Sequence, residues 1–368
     1  MRLAVFNVEN LFDRARALDE SNEPVLKAFG RAQALLAQPD YTDAIKAEIL
    51  AELAVLGLTR SDSNRNALLR QSRGSLIRRP KDKPPEVAAS GRADWVGSLE
   101  LKRGPVNHEA MLNTARVIRD CAADVMGVVE AEHRPSLGDF NREIIASEVV
   151  GGTAFRHAML IDGNDDRGID VGLMTGPAYP IGMMRSRVDD RRANGNPVFS
   201  RDCPEFHIAV PGGTAIVVML CHFKSKFGGN DPRSQAKRRD EAARVADIYR
   251  AHRSAGIVNI AIMGDFNDTP DAEPLAPLLA QTDLADISVL PGHNDGGLPG
   301  THGNCRAGTK IDYILLSPAL AAAVTASGII RTGMRPNKGA PPWPIYPTLT
   351  TPSQAASDHA ALWVDVAL

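Results

Sequence analysis

The sequence is short of aromatic residues, at 5%, and of cysteine, with four scattered as Cys121, Cys203, Cys221 and Cys305. No CxxC pair occurs, so neither a disulfide framework nor a standard structural zinc site is expected. Cys121 and Cys221 fall in apolar periodic segments and are predicted to be buried thiols. Neither sign of charge prevails: 42 Lys and Arg face 44 Asp and Glu, a net charge of -2. That balance excludes a surface that is cationic throughout, while leaving room for a local basic groove. Long apolar runs are lacking as well. Ile216–Cys221 and Ile260–Met263 are strand-sized, far below a membrane span. Residues 1–13 show no secretory apolar region ahead of a small-residue cleavage site. The expected location is therefore cytoplasmic, or secreted or periplasmic if a signal peptide has been removed. Internal repeats are absent, and the glycine pairs at 228–229 and 296–297 lack the continuation of a nucleotide-binding loop.

What is present is ordinary globular composition over 368 residues, enough for one large core or two smaller ones. Arg2–Val8 reads as a strand. Helices are expected after Pro24, with Val25, Phe29, Ala32 and Leu36 on one side, and after the N-cap Thr42, with Ile45, Ile49, Leu53 and Leu56. Residues 60–92, rich in Arg, Lys, Ser, Asn and Pro, read as a long basic loop. Asn107 caps a further helix that feeds a strand at 125–130, and a helix over 234–250 feeds a strand at 257–263. More strands are expected at 170–174, 206–210, 214–221, 311–316 and 360–366, with Pro211-Gly212-Gly213 as a hairpin turn. Strands joined by both hairpins and helices fit a mixed α/β architecture better than a purely parallel sheet.

Polar residues sit where these strands run out. Glu130 follows an apolar run, Asp265 and Asn267 follow another, and Asp358 and His359 precede the last strand. Asn7 and Glu9 alternate at the end of the first strand and so share a face. Turns also favour Asp and Asn, so each position taken alone has a structural explanation. Together the carboxylates form oxygen ligands suited to Mg²⁺ or Mn²⁺, Asn offers neutral donors to phosphate, and His can hold or move a proton.

Seven segments carry a resemblance: Asn7-Val8-Glu9-Asn10, Gly127-Val128-Val129-Glu130, Arg167-Gly168-Ile169-Asp170-Val171, His222-Phe223-Lys224-Ser225-Lys226, Gly264-Asp265-Phe266-Asn267, Lys310-Ile311-Asp312-Tyr313 and Ser357-Asp358-His359. In order and type they resemble the endonuclease/exonuclease/phosphatase superfamily, which includes deoxyribonuclease I. The His-Phe-Lys-Ser-Lys and Asn-Val-Glu-Asn-Leu-Phe runs look most like its bacterial extracellular nucleases. The resemblance implies a four-layer α+β sandwich, two mixed sheets with helices outside and the site at one edge. It implies a divalent-metal-dependent phosphodiester hydrolase using Mg²⁺, with Mn²⁺ or Ca²⁺ as alternatives. Glu130 would lead the metal ligands, aided by Glu9 and Asp358. Asn7 and Asn267 would hold the scissile phosphate or help place the metal. Asp265 would orient or deprotonate water, His359 would contact phosphate with Asp312 orienting it, and His222 would be a second phosphate-side histidine. Whether Asp265 or His359 is the base, and whether one ion or two act, stays open.

Around that set, Arg167 suits phosphate or a surface pair with Asp165 or Asp166, and Asp170 aligns its neighbours. Lys224 and Lys226 are candidate phosphate contacts, and His302 is the notable member of a substrate-side loop over 292–306. Tyr313 is expected to pack, as are Trp343 and Tyr346 in the Pro-rich crossing 336–352. The family's short connection after the first strand is replaced here by a long insertion over 14–106, helical over about 24–58, on what reads as a single catalytic domain spanning 1–368. Nucleic acid is the expected substrate and partner. A small-molecule or lipid phosphate ester is the second enzyme reading, and a catalytically silent scaffold is the alternative of another class.

Overall fold

The computed structural model describes residues 1–11, 23–64, 66–102, 107–165, 168–213, 215–226, 231–336 and 339–368. The chain divides into two compact units, Met1–Phe12 with Asn107–Leu368, and Asp13–Val106. Strand β1 (Arg2–Leu11) opens the first. The second contains helices α1 (Glu23–Leu36) and α2 (Asp43–Val55) and strands β2 (Ala67–Arg73), β3 (Ile77–Arg78), β4 (Glu86–Val87) and β5 (Val96–Leu101). The first unit resumes with α3 (His108–Cys121), β6 (Val125–Ala131), β7 (His157–Leu160), β8 (Asp170–Thr175), β9 (Ile181–Arg185), β10 (Glu205–Ile208) and β11 (Ile216–His222). It continues with α4 (Pro232–Ser254), β12 (Ile260–Asp265), β13 (Ala285–Asp286), β14 (His293–Asn294), β15 (Asp312–Leu316), β16 (Val324–Ile330) and β17 (Ala361–Val366), with shorter helical turns between them.

Two sheets organise this first unit, in the orders β14-β16-β17-β1-β6-β8-β7 and β13-β15-β12-β11-β10-β9. Each is mixed: β1 runs parallel to β6 and β11 parallel to β12, while β17 and β15 pair antiparallel with them. The alternation of strand side chains explains the layering. Leu3 and Val5 join Val218, Leu220 and Met263 in the core between the sheets. Their sequence neighbours Ala4, Phe6 and Val8 face outward and pack with Ala115 and Ile118 of α3. Likewise Val217, Met219 and Cys221 turn to Val245 and Tyr249 of α4. Strands buried on both faces read as continuous apolar runs, which is why the sequence displays them so clearly.

The expected caps are in place, Thr42 Oγ1 accepting from Ile45 N–H and Asn107 Oδ1 from Glu109 and Ala110. Gly212 and Gly213, at φ 101° and 97°, turn the chain between β10 and β11. Five strands of this unit went unread. β16 contains Thr325, Ala326, Ser327 and Gly328, β9 is an edge strand with exposed Met183, and β7, β13 and β14 are short. All four cysteines are buried and free. Trp343 Nε1 donates to Met334 O, and Tyr346 donates to Asp120, so the Pro-rich crossing packs as expected. Among the described residues no helix is long and apolar enough to cross a membrane.

The second unit differs from the long basic loop expected over 60–92. Strands β2 to β4 occupy that stretch, and Leu69, Leu76, Ile77, Val87 and Ala89 join Tyr41, Ile49, Leu53 and Trp95 in a separate core. Several of its arginines have structural partners. Arg70 pairs with Glu100, Arg79 donates to the carbonyls of Leu58 and Thr59 and pairs with Asp62, and Arg92 lies over the Trp95 ring. Basic residues interrupt the apolar positions too often for their period to show. Arg65 lies outside the described residues.

Two substitutions test these cores. Gly264 has φ 145°, and a Cβ there would lie 1.9 Å from the Cys221 carbonyl oxygen on the adjacent strand. Gly264→Ala should cost at least about 2–3 kcal/mol, read as a lowered melting temperature or insoluble protein. Trp95→Ala, which removes the ring and its 3.1 Å bond to Tyr41, should cost about 3–5 kcal/mol. Hydrogen exchange should show the loss of protection over 23–102.

Candidate active site

The core between the sheets ends in polar residues of the same parity. On β1 the inward series Leu3, Val5 continues to Asn7; on β11 Val218, Leu220 continues to His222; on β12 Ala261, Met263 continues to Asp265; on β15 Leu316, Ile314 continues to Asp312. Register places His222 opposite Asp265 and Asp265 opposite Asp312. One row across three strands therefore presents an imidazole and two carboxylates, all buried. Asn7 Nδ2 reaches across to donate to Asp265 Oδ2 at 3.2 Å and to Glu130 Oε1 at 3.5 Å. His222 Nε2 stands 3.8 Å from both Glu130 Oε1 and Asp265 Oδ2.

Local backbone conformation aims the remaining groups. Five non-glycine residues among those described have positive φ, and three are Glu9 at 48°, Glu130 at 68° and Asn267 at 54°. Each sits within two residues of a strand's end, and such strain persists where surrounding contacts over-determine it. At Glu130 the β1–β6 and β6–β8 registers shift, so a bulge turns this side chain out of the strand alternation. Glu9 N–H donates to Asn7 Oδ1, and Asn267 N–H to Asp265 Oδ1 at 2.7 Å. Asp358 N–H donates to Glu9 Oε2, tying the first strand to the segment before the last.

Buried like charges dominate the electrostatics. Burial and the facing Asp312 push the Asp265 carboxyl up to about 7. His359 bridges the pair: Nδ1 lies 2.9 Å from Asp312 Oδ2 and Nε2 3.9 Å from Asp265 Oδ2. Burial opposes a charge on His359, yet Asp312, Asp265 and Asp358 outweigh it and hold its pKa well above the ordinary value. Glu9 is raised to about 7, first by desolvation and then by Asp358 and Glu130. Burial disfavours the Asp358 charge too, but the His302 bond and the His359 charge lower its pKa overall.

Glu9, Glu130 and Asp358 thus share one field, and a hard divalent cation fits such an all-oxygen set. Two tighter groups place three ligand atoms within 4.8 Å: Asp265–Asp312–His359 and His302–Asp358–His359. Glu9 and Glu130 join neither. These two clusters suggest a divalent-metal site. In the first, His359 already fills the gap between the carboxylates.

The other expected residues fall as follows. Asn267 Nδ2 donates to Phe223 O, beside the row. The His302 ring lies beside that of His359, with centroids 4.8 Å apart and planes inclined by 58°, and its Nε2 is 3.0 Å from Asp358 Oδ2. Residues 223–226 leave β11 as irregular chain, where Lys226 pairs with the buried Asp268. Asp170 lies opposite Ala131, next after Glu130, and accepts from Gly163 N–H. Arg167 lies outside the described residues. Tyr313 stacks on Phe266, which stacks on Phe223, a packing ladder behind the row.

Sequence reasoning missed the supports. Thr301 Oγ1 accepts from Ile311 and Asp312 N–H. The fully buried Glu241 takes the N–H groups of Ser200 and Lys224. Arg238, also fully buried, binds Asp268 and the Lys224 carbonyl. Charged residues among the alanines of α4 were the available signal, and they read equally well as a solvated face.

The two mixed sheets thus pack face to face over a core whose inward rows end in buried carboxylates, imidazoles and amides. The chain belongs to the endonuclease/exonuclease/phosphatase family, whose model matches residues 104–359. The chain is similar in fold to an endonuclease/exonuclease/phosphatase family protein from Bacteroides thetaiotaomicron, 16% identical over 70% of this chain and 85% of that one, with a TM-score of 0.51. It is also similar to a mannosyl-6-phosphatase from Bacteroides thetaiotaomicron VPI-5482, at 15% identity, 71% and 91% coverage and a TM-score of 0.51. No curated protein matches the chain. Family membership and the clustered ligands support a divalent-metal-dependent phosphoesterase.

Asp170 supplies a pH test. Burial raises its carboxyl to about 7 against the Gly163 bond, with Asp162, Asp165 and Asp202 adding to the rise. The folded state then binds the proton more tightly than the unfolded chain between about pH 4 and 7, so stability falls as pH rises through that window. Asp170→Asn should melt above the wild type by a margin that grows from about pH 5 to pH 7 and then levels off.

Proposed function

We propose that the chain is a divalent-metal-dependent phosphodiesterase that cleaves nucleic acid, a nuclease. The observation that carries the reading is the buried row His222–Asp265–Asp312, with Asn7 and His359 bonded or bridged into it and Glu9, Glu130 and Asp358 beside it. Glu130, Glu9 and Asp358 would hold the cation. When bound, that ion neutralises charge on the phosphate's nonbridging oxygens. Asp265, poised to about 7, accepts a hydrogen bond from water on the phosphate side and takes its proton as it attacks. His359, kept cationic and oriented by Asp312, binds a phosphate oxygen. Asn7 and Asn267 donate to the same group through their amides, and His222 stands on the side where a leaving oxygen accepts a proton. The His-Phe-Lys-Ser-Lys run favours a polynucleotide.

A specific observation favours the second reading, a small phosphate ester: Lys226 and Arg238 are engaged by Asp268, and Arg239 by Glu273. Assays with Mg²⁺ on plasmid DNA, single-stranded DNA, RNA, a generic bis-aryl phosphodiester and an aryl phosphomonoester separate the cases. The nuclease reading expects strand cleavage, abolished by chelation. Cleavage of the small esters alone would overturn it, and silence on every ester would favour a scaffold. Glu130→Gln and Asp265→Asn should each lower turnover by about a hundredfold to ten-thousandfold with melting curves retained, and His359→Ala should lower it as far in protein that still folds but melts at a lower temperature, because the group facing both Asp265 and Asp312 is gone.

A further inference from the structure

His302 belongs to the loop between β14 and β15, and its position is set by the backbone. Ala360 N–H donates to Thr301 O at 2.7 Å and Gly303 N–H to Asp358 O at 2.9 Å, so 301–303 and 358–360 run side by side with His302 bridged to His359. His302 N–H also donates to Thr309 O at 3.1 Å. Three donors converge from this support: His302 Nε2 lies 3.0 Å from Asp358 Oδ2, and His359 Nε2 lies 3.6 Å from Asp358 Oδ1. All three ligand atoms fall within 4.8 Å of one another. Asp312 occupies Nδ1 of His359 and thereby fixes which nitrogen faces Asp358. A carboxylate behind a histidine whose other nitrogen meets the ion is the usual outer support of a metal-binding imidazole.

We propose that His302, Asp358 and His359 form a binding position for a borderline divalent transition ion, Mn²⁺, Co²⁺ or Zn²⁺, that shares Asp358 with the oxygen donors Glu9 and Glu130. Two imidazole nitrogens and one carboxylate suit such ions, whereas Mg²⁺ prefers oxygen donors and keeps its waters. Side chains of His302 and Asp358 are 38% and 48% exposed, which leaves the ion a path from solvent and room for water ligands. On binding, His359 releases one proton to solvent from Nε2 and keeps the Nδ1 proton toward Asp312. The ion's charge then stands where the imidazolium charge stood. The importance of this position for hydrolysis rests on the phosphoesterase reading; its existence does not.

The test uses the full chain, stripped with chelator and titrated with Co²⁺ in excess Mg²⁺, following visible absorption and heat. One equivalent of Co²⁺ that Mg²⁺ fails to displace is expected, weakened at least about tenfold in His302→Ala. In His302→Cys, a thiolate-to-cobalt absorption band should appear, placing the side chain on the ion. Melting curves check that both variants fold. Absence of a Mg²⁺-resistant equivalent in the wild type, or unchanged Co²⁺ affinity in folded His302→Ala, overturns the proposal. If the ester panel shows no hydrolysis while the cobalt equivalent persists and depends on His302, the site stands and the functional reading falls.

Discussion

Asp265 and Asp312 lie directly opposite one another on neighbouring strands, both buried, and the site is organised around that repulsion. Like charges in register destabilise a sheet unless something compensates. Here His359 supplies the compensation from outside the sheet, bonded to Asp312 and facing Asp265. The arrangement is asymmetric. Asp312 is held by the imidazole, Thr301 orients its backbone, and Asp265 is left with a raised proton affinity beside Asn7, Asn267 and His222. Two chemically identical side chains thereby acquire different surroundings: one orients the His359 imidazole, and the other holds its proton up to about 7.

That asymmetry requires the sheets to approach closely. Gly127 on β6 faces Leu220 and Met263 of the opposing sheet, where a Cβ would come within 2.7 Å of Leu220. Close contact there brings Asn7 of one sheet to Asp265 of the other. The apolar core thus acts as a ruler for the polar edge. Each inward series runs through aliphatic side chains and then, without changing face, meets the polar residue. The bulge at Glu130 is the exception, and it turns the residue that strict alternation would send to the opposite face.

How much of this was legible depended on the kind of signal. Strands buried on both faces announced themselves, so β1, β6, β11, β12, β15 and β17, with their polar ends, could be read directly. Caps such as Asn107 and the Pro211-Gly212-Gly213 turn were equally plain. Pairing was not legible: nothing in the residues states that His222 lies opposite Asp265, because register is a property of two strands. β16 lacked an apolar pattern over Thr325–Gly328, and β9 buries little. The second unit's core was hidden because its apolar residues are spaced by arginines. Those arginines suggest a free basic arm when counted, while Arg70, Arg79 and Arg92 are committed to partners in the structure.

The same accounting bears on how phosphate is recognised. A basic stretch in a sequence contributes attraction only to the extent that its cations are not already neutralised. Asp268, buried beneath the chain that follows β11, engages both Lys226 and Arg238 and braces residues 223–226. Glu241 completes that brace by holding the Lys224 and Ser200 amides. The site's acids, Glu9, Glu130, Asp265, Asp312 and Asp358, outnumber the one imidazolium set among them. An anionic substrate therefore meets a field that bound cations must reverse. Affinity and chemistry then depend on the same ions, and substrate binding should be more sensitive to the supply of divalent metal than the basic composition of the flanking segments suggests.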